Sequence, residues 1–394
     1  MSACILVLNC GSSSIKFALF DVDLLTARHD ALWRGEIQAI GSGRATVREG
    51  DATPSTVALD VAQPYHAALL EIRTRAREQL DGRHLMAVAH RVVHGGSKYV
   101  MPVRVTLAVL AELQSYIPLA PLHQPFALEA IGTFLEEHPD VPQVACFDTS
   151  FHHTVPTVEQ VLPLPYALFE RGMRRYGFHG LSYEYMTYAL PIRHGDRAKG
   201  RTIVAHLGSG ASLCAMQDLA SVATTMGFSA LDGLMMGTRC GAIDPGVVLH
   251  LMEVEALSLE QVGHLLYHAS GLLGVSGVSA DPRVLLPREP NDARCALALA
   301  LYVRRIVREI GALVAVLGGL DMLVFTAGIG EHNAVIRERV MAALAYLGVI
   351  ADPVANAGNA AVVSAPQSHV RVVVEPTNEE WVAARHAFAC TRGA

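Results

Sequence analysis

Residues 5–21 read ILVLNCGSSSIKFALFD, and a similar stretch, TIVAHLGSGASLCAMQD, recurs at residues 202–218. Each consists of an apolar run, a turn of Gly and Ser, and a second apolar run that ends in Asp. This pattern predicts two β-strands joined by a tight hairpin turn. Because the second stretch lies about half a chain after the first, we interpret the pair as the mark of a duplicated domain.

The Gly/Ser turn of the first hairpin indicates phosphate chemistry. Backbone N–H groups in such turns suit phosphate oxygens, and Gly permits the close approach and the positive φ angles that the turn requires. Lys16 follows the turn, but Ile15 rather than Gly precedes it, and a strand rather than a helix follows, so the stretch is not a P-loop. Two such hairpins, one in each half of the chain, are expected to enclose one nucleotide.

Composition narrows the class of protein. The 394 residues suffice for two domains. The chain has 51% hydrophobic and 17% charged residues, which indicates a globular protein. The net charge of −6 argues against a nucleic-acid or membrane partner. The seven cysteines are scattered, and no basic-then-apolar leader opens the chain, which predicts reduced thiols and a cytoplasmic location. The longest apolar stretch, residues 310–330, is interrupted by Asp321 and reads as a buried helix, a turn and a buried strand.

Apolar runs of strand length alternate with helical patterns along the chain, which predicts an α/β protein. Strands are predicted at 4–9, 15–21, 86–95, 144–148, 202–208, 212–218 and 322–328, and helices at 68–80, 297–317 and 335–348. A Pro-rich stretch follows Asp148 and Thr149 and marks a domain boundary. We therefore expect an N-terminal domain over 1–149 and a C-terminal domain over 150–380, with a helix over 381–394 that packs back on the first domain.

A series of motifs, in the same order along the whole chain, resembles the acetate kinase family. They are VLNCGSSSIKF (7–17), HRVVHGG (90–96), PLHQP (121–125), FDTSFH (147–152), RRYGFHG (174–180), AHLGSGASLCA (205–215), MGFSALDGLMMGTRCGAIDPG (226–246), FTAGIGEH (325–332) and PTNEE (376–380). The resemblance implies two duplicated actin-like, ribonuclease-H-like ATPase domains with an interdomain cleft. It implies reversible in-line transfer of the γ-phosphoryl group of ATP to acetate, giving acetyl phosphate and ADP. It also implies Mg²⁺, with Mn²⁺ as an alternative, and a homodimer.

Phosphoryl transfer needs cations around the moving group, and two arginines are the candidates. Arg91 follows a predicted strand, and Arg239 lies in a Gly-rich loop; the planar guanidinium of each matches a carboxylate or a phosphate. The resemblance implies that both hold the acetate carboxylate and the moving phosphoryl group. It further implies that His179 donates a hydrogen bond to that group and that His123 lies near it.

Carboxylates are the candidates for holding the metal. Asp148 ends a predicted strand and Glu379 lies in a loop-like segment, and Mg²⁺ is commonly held by such groups through water. The resemblance implies that Asn9, Asp148 and Glu379 lie near the metal. Glu380 is the alternative to Glu379, because the two residues are adjacent in the sequence.

The remaining site residues rest on the resemblance. Those expected to bind the nucleotide are Ser12, Ser14, Lys16, His206, Gly208, Gly210, Asp281, Gly328, Ile329 and Gly330. Gly328, Ile329 and Gly330 are expected at a turn before a helix, where backbone N–H groups favour an anion. The wall of the acceptor slot is expected to include Val93, Leu122 and Phe178. Because one methylene discriminates by only ~1–3 kcal/mol in such a slot, propionate is expected to be a poorer second acceptor.

The chain departs from the family pattern at Ser209, Ala230, Cys240, Ala242 and His332, none of which removes a charged catalytic group. The family usually has Pro at the position of Ala230. If Ala230 lines the acceptor slot, the loss of the proline ring is expected to widen the slot. A propionate or butyrate kinase of the same fold is therefore the nearest alternative. A nucleotide-binding scaffold of the actin-like type is the alternative from another class, although it would not need two arginines.

Overall fold

The computed structural model describes residues 2–121 and 123–392. The strands in this part of the chain are β1 Ala3–Cys10, β2 Ile15–Asp21, β3 Trp33–Gln38, β4 Thr46–Glu49, β5 Ser55–Thr56, β6 His84–Val92, β7 Val103–Arg104, β8 Gln143–Phe147, β9 Thr202–Leu207, β10 Ala211–Gln217, β11 Ala220–Thr224, β12 Met322–Thr326 and β13 Arg371–Val374. The α-helices are α1 Pro64–Gln79, α2 Leu107–Ser115, α3 Gln124–Glu137, α4 Thr157–Gln160, α5 Tyr166–Glu170, α6 Gly180–His194, α7 Pro245–Glu253, α8 Leu259–His268, α9 Gly271–Ser276, α10 Pro282–Leu285, α11 Ala293–Leu317, α12 Ala327–His332, α13 Ala334–Ala343, α14 Pro353–Ala357 and α15 Glu379–Arg392. None of the helices in the described ranges is long and apolar enough to cross a membrane.

The chain divides into two compact units. Unit 1 comprises Met1–Ser150 together with Asn378–Ala394, and unit 2 comprises Phe151–Thr377. The C-terminal helix α15 packs against β1, β6 and β8. Its buried residues include Trp381, whose indole N–H donates to the Leu25 carbonyl over 3.0 Å.

The sheet of unit 1 has eight strands in the order β5-β4-β3-β2-β1-β6-β8-β7. Strands β3, β2 and β1 are antiparallel neighbours, whereas β6 runs parallel to β1 and β8 runs parallel to β6. Alternate residues of β1 such as Leu6 and Leu8 lie in one core cluster with Leu69 and Ile72 of α1. The period of two then turns the intervening residues of β1 toward the opposite face.

The sheet of unit 2 repeats this arrangement in shorter form. Its order is β11-β10-β9-β12-β13, with three antiparallel neighbours followed by two parallel ones. The long helix α11 buries an apolar stripe that includes Leu299, Tyr302 and Ile306 and packs against β9 and β10. Each unit is therefore an α/β structure with a mixed sheet that begins with the hairpin found in the sequence.

The two predicted hairpins are present, and two predicted strands are too long by two or more residues. Strands β1 and β2 pair from Cys4 opposite Asp21 to Cys10 opposite Ile15, and β9 and β10 pair in the same way. The strand expected over 86–95 ends at Val92, because its ladder with β8 ends opposite Phe147. The residues that follow it form a turn. The strand expected over 322–328 ends at Thr326, because Ala327 and Gly328 begin α12.

Parallel strands bring several predicted site residues to one edge of each sheet. In unit 1, Asn9, Arg91 and Asp148 lie at or directly after the carboxyl ends of β1, β6 and β8. In unit 2, β9, β12 and β13 end together before the segments that begin at Gly208, Ala327 and Glu375. Ligands of open α/β sheets bind at this edge, beyond the carboxyl ends of the strands.

Candidate functional site

In unit 1, Arg91 is surrounded by carboxylates. Its Nε and one terminal nitrogen donate to the two oxygens of Asp148 over 2.8 and 2.7 Å, and its other terminal nitrogen lies 2.9 Å from Oε2 of Glu379. Asp148 is 2% exposed, so the bidentate pair is almost completely desolvated on that side. Such fork-to-fork pairing fixes the orientation of the guanidinium.

The charges of this group do not balance. Burial by itself would lower the pKa of Arg91, but Asp148 and Glu379 outweigh burial and raise it. The pKa of Glu379 is raised to about 7, chiefly by burial and further by the charges of Asp148 and Glu380, against the opposing effect of Arg91. Two carboxylates share one guanidinium, so the group attracts a further positive charge.

Other predicted residues of unit 1 lie around the first hairpin. Asn9 and Lys16 are direct cross-strand partners and therefore lie on the same face of the sheet. Ser12 is exposed and Ser14 is half-buried in the turn, which closes when Gly11 donates its N–H to the Ser14 carbonyl over 2.8 Å.

The predicted slot residue Val93 and His123, which was predicted near the phosphoryl group, belong to the same unit. Val93 is half-buried and directly follows β6. His123 is half-buried at the N-cap of α3. Leu122 lies outside the described residues.

In unit 2, Arg239 has neutral partners. It donates to the Ala230 carbonyl over 3.0 Å, and its side chain approaches the Met236 sulfur at 3.8 Å. No ion pair to Arg239 occurs within residues 2–121 and 123–392. Burial lowers the pKa of Arg239, because water is removed from the cation. A half-buried cation without a carboxylate partner is suited to an anionic ligand.

His179 and Arg239 meet at the turn of the second hairpin. A Cβ atom placed on Gly210 would lie 3.3 Å from His179 Nε2 and 3.5 Å from an Arg239 terminal nitrogen. The turn itself closes when Gly208 donates its N–H to the Gly210 carbonyl over 3.1 Å. Three motifs that are separated in the sequence therefore converge at this turn, where an imidazole nitrogen and a guanidinium nitrogen lie beside Gly210, an arrangement that suits phosphate oxygens.

Two histidine rings stack beside this turn, and each contacts a hydroxyl. The rings of His179 and His206 have centroids 4.2 Å apart and an interplanar angle of 16°. Nδ1 of His179 lies 2.8 Å from Ser212 Oγ, and Nδ1 of His206 lies 2.8 Å from Ser182 Oγ. The hydroxyl of Tyr183 also reaches Ser212, at 2.5 Å.

Unusual backbone conformations hold these side chains. His179 has a φ of 58°, a left-handed conformation that is rare for a residue with a side chain. It follows Gly177, whose φ is 76° and whose added Cβ would lie 2.5 Å from the His152 ring. Gly241, with a φ of 71°, closes the Arg239 loop against the Leu234 carbonyl. Strain of this kind is concentrated at functional sites.

The predicted nucleotide-binding residues of unit 2 lie in two places. Gly328 is exposed, Ile329 half-buried and Gly330 buried in α12, directly after β12. Asp281 caps α10 by accepting from the Arg283 N–H over 2.8 Å, and its carboxylate pairs with the Arg283 side chain. The contacts of Asp281 are thus those of a helix cap.

The predicted slot residue Phe178 is 1% exposed, and its carbonyl lies 3.0 Å from His152 Nε2. The predicted metal residues Asn9, Asp148 and Glu379 belong to unit 1. No group of three or more His, Cys, Asp or Glu that could hold a metal occurs in the described ranges.

Sequence reasoning missed Ser182, Tyr183 and Ser212. Ser182 and Tyr183 follow His179 by three and four positions, the spacing of neighbours on one helical face. Ser212 is the cross-strand partner of His206 in the hairpin. These spacings place Ser182 and Tyr183 near His179 and Ser212 beside His206, but the observed contacts cross between α6 and the hairpin and follow only from the tertiary structure.

Sequence reasoning also missed Arg337 and Glu375. Arg337 is fully buried and donates to the carbonyls of Gly330 and Glu331, which holds α12 in place. Glu375 is 1% exposed directly after β13, with a terminal nitrogen of Arg193 at 3.1 Å. Burial raises the pKa of Glu375 to about 7, partly opposed by Arg193. A single buried charged residue leaves no periodic signal in a sequence.

Two α/β units whose sheets share a run of three antiparallel and two parallel strands, a Gly/Ser hairpin in each, and an arginine beside the turn of the second hairpin define a phosphotransferase built from a repeated unit. Comparisons with known proteins identify the family. The chain belongs to the acetokinase family, which it matches over residues 4–385.

Individual relatives agree with this assignment. The chain is 48% identical over 398 residues to the acetate kinase of Rhodopseudomonas palustris, with all of both chains covered. Among solved structures it is similar to acetate kinase from Porphyromonas gingivalis, with a TM-score of 0.86, 35% identity and 98% and 99% of the two chains covered. It is also similar to a propionate kinase from Francisella tularensis, with a TM-score of 0.89, 34% identity and 98% of each chain covered.

Proposed function

We propose that the chain is an acetate kinase that transfers the γ-phosphoryl group of ATP to acetate, reversibly and in line, giving acetyl phosphate and ADP. The convergence of His179, Gly210 and Arg239 in unit 2 is the observation that supports this most directly. A turn with a half-buried cation and an imidazole beside it can neutralise the oxygens of a phosphoryl group during transfer.

The other residues take roles that their surroundings permit. The turn Gly208–Gly210 and the segment Gly328–Gly330 would bind the phosphates and adenosine of the nucleotide. Arg91 would hold the acetate carboxylate, and because its three guanidinium nitrogens already meet Asp148 or Glu379, acetate would replace one of these carboxylates. No covalent intermediate on the protein is required, since positioning and charge neutralisation account for most of phosphoryl-transfer catalysis.

The residues of unit 1 fit a magnesium ion. Asp148 and Glu379 provide hard oxygen ligands, and Asn9 provides an amide oxygen at the same edge of the sheet. Asp148 and Glu379 share the single positive charge of Arg91, and a divalent cation would relieve this excess of negative charge. Bound there, Mg²⁺ or Mn²⁺ would neutralise charge on the phosphates.

The test is formation of acyl phosphate, trapped as the hydroxamate, from ATP, Mg²⁺ and equal concentrations of acetate, propionate and butyrate. We expect acetate-dependent product that Arg239→Ala abolishes. Lys199→Ala is the matched control, because Lys199 is exposed in the same unit and pairs with the exposed Asp196. ATP binding without product from any of the three acids would contradict the proposal.

A propionate kinase is the second candidate, supported by the similarity to the Francisella protein. The carbonyl of Ala230 orients Arg239, so residue 230 lies beside a proposed substrate-binding group. The same competition assay decides between the acids. If Ala230 widens the slot, Ala230→Pro shifts the ratio of kcat/KM values toward acetate.

We also propose a homodimer formed through α7 of unit 2. None of the residues of α7 is buried, and its apolar side chains Val247, Leu249 and Met252 are 47%, 58% and 39% exposed. An apolar helix of this kind is typical of a surface that a second copy covers. Sedimentation of Leu249→Glu should show monomers, whereas Val354→Glu, at an exposed residue of α14, should remain dimeric.

The seven cysteines are free thiols, in keeping with the proposed cytoplasmic location.

A further inference from the structure

We propose that Tyr183 and Ser212 are positioning residues that keep the proton of His179 on Nε2, the ring nitrogen that lies beside Gly210. This inference rests on the proposed function only in what it says about catalysis. The tautomer itself is a property of unit 2 that can be measured without substrate.

The three side chains form a continuous chain of polar atoms. Tyr183 Oη lies 2.5 Å from Ser212 Oγ, and Ser212 Oγ lies 2.8 Å from His179 Nδ1. Tyr183 and Ser212 are both 0% exposed. Because a buried polar network in a low dielectric is costly unless its members are satisfied, the protons in this chain are ordered.

The direction of donation follows from acidity. A hydroxyl carries one proton, and the phenol, with a pKa of about 10, is a far stronger acid than an aliphatic alcohol. Tyr183 therefore donates to Ser212, and Ser212 donates its own proton to His179. Nδ1 is then the acceptor of a neutral imidazole, and Nε2 carries the hydrogen.

The Nε2 side of the His179 ring lies next to Gly210 and Arg239, where its hydrogen can be donated to a ligand. Nε2 of His179 lies 3.3 Å from the Cβ position of Gly210, and a terminal nitrogen of Arg239 lies 3.5 Å from the same position. With the tautomer set by Ser212, His179 presents an N–H donor next to the arginine. Two aligned donors act on the transferring phosphoryl group without any proton transfer, which avoids reorganisation during the reaction.

The neighbouring histidine is arranged in parallel. Ser182, adjacent to Tyr183 on α6, places its hydroxyl 2.8 Å from Nδ1 of His206. The Nε2 atom of His206 lies 3.7 Å from the Cβ position of Gly208. Since the two rings stack at 4.2 Å, two imidazolium charges would repel, and the stack favours neutral rings. The first turn of α6 thus supplies one hydroxyl network for each ring.

The experiment is solid-state NMR of the full-length protein labelled with ¹⁵N-histidine, with His179→Gln and His206→Gln used to assign the two rings. We expect a pyridine-type Nδ1 and a pyrrole-type Nε2 for His179. Ser212→Ala should change the His179 pattern, and Ser182→Ala should change only that of His206. A pyrrole-type Nδ1 in the unsubstituted protein, or a His179 pattern that Ser212→Ala leaves unchanged, would overturn the inference.

Kinetics provide the second readout. Ser212→Ala should lower kcat by roughly ten- to a hundredfold, as loss of an orienting partner does for other histidines, with both KM values within about twofold. Ser212→Thr, which keeps the hydroxyl, should restore both the NMR pattern and most of kcat. Equal loss in the Ala and Thr variants would mean that packing, not the hydroxyl, matters.

The milder change Tyr183→Phe keeps the protein folded while removing only the phenolic donor. It should lower kcat several-fold, whereas Tyr188→Phe, which removes a hydroxyl that donates to Glu184 on the same helix, should not. If no acid is phosphorylated, the NMR result still decides the tautomer. If acyl phosphate forms while His179 shows the opposite tautomer, only the present inference fails.

Discussion

The two arginines predicted for the site, Arg91 and Arg239, stand in opposite electrostatic surroundings. Arg91 in unit 1 donates to both oxygens of Asp148 and lies 2.9 Å from Glu379, so its pKa is raised in spite of burial. Arg239 in unit 2 meets a carbonyl and a thioether sulfur, and burial lowers its pKa. The same residue type is therefore held by fixed carboxylates in one unit and kept for an incoming anion in the other.

Because their surroundings differ, the two arginines are expected to contribute differently to the stability of the protein and to its function. Removing one partner of a buried ion pair is destabilising because the other charge is left unpaired. Removing a buried cation that has no partner charge relieves a desolvation cost instead. We therefore expect substitutions at the two arginines to differ in stability even where both abolish activity.

The largest effect is expected for Arg239→Ala. Loss of an arginine that stabilises the transferring phosphoryl group should lower kcat by about 10³ to 10⁵-fold. The free energy of unfolding should stay the same or increase, because no carboxylate loses its partner. Steady-state kinetics and urea unfolding of the same preparation check both parts. Marked destabilisation would remove the contrast with Arg91.

Arg91→Ala should lose activity and also destabilise the protein by about 3–5 kcal/mol, because it leaves Asp148 as an unpaired buried carboxylate. Adding Asp148→Asn should recover much of the stability but none of the activity. Urea unfolding of the single and double variants measures this. Equal stability of the two variants would show that the pair does not hold unit 1 together.

Glu375 sharpens the comparison, because it is a buried carboxylate with an arginine beside it but no assigned ligand. The pKa of Glu375 is raised to about 7 from 4.5, because burial disfavours the charged carboxylate. The protonated side chain therefore stabilises the folded protein fully below pH 4.5. This stability is lost as the pH rises through 7 and the buried carboxyl group ionises. Glu375→Gln should unfold like the unsubstituted protein at low pH. It should be more stable by at most about 3 kcal/mol at pH 8.5.

Thermal unfolding of both forms between pH 5 and 8.5 tests this dependence. A constant difference between the two forms across this range would contradict the raised pKa.

The smallest effect is expected for Arg283→Ala. The Arg283 side chain is 82% exposed, and its pair with Asp281 lies in solvent. Exposed ion pairs contribute little, so the unfolding transition should not shift measurably. Unfolding curves recorded beside those of Arg91→Ala make the comparison direct. A loss as large as that of Arg91→Ala would show that burial does not govern these pairs.

The elements with strong local signals were predictable. Both hairpins and the helices α1, α11 and α13 lie where apolar periodicity predicts them, within a few residues. Six strands of the described residues were not predicted, namely β3, β4, β5, β7, β11 and β13. In β3 the buried Glu36 interrupts the alternation of apolar and polar residues, and β7 has only two residues, Val103 and Arg104. Pairing with neighbouring strands, rather than local pattern, creates both.

Within the candidate site, the motifs pointed to Arg91, His179 and Arg239 but not to their surroundings. The hydroxyl of Ser212 lies 33 positions along the chain from His179, and its contact exists only because α6 packs over the second hairpin. Neither residue type by itself predicts the other.

The sequence by itself determined the α/β class, the repeated hairpin and the family, because apolar periodicity and ordered motifs are local and survive without coordinates. Only the tertiary structure decided how the two arginines differ. The carboxylate that fixes Arg91 lies 57 positions away, and the equivalent partner is absent around Arg239 in the described part of the chain. The charge state of a buried group depends on burial and on the charges beside it, and both are set by folding.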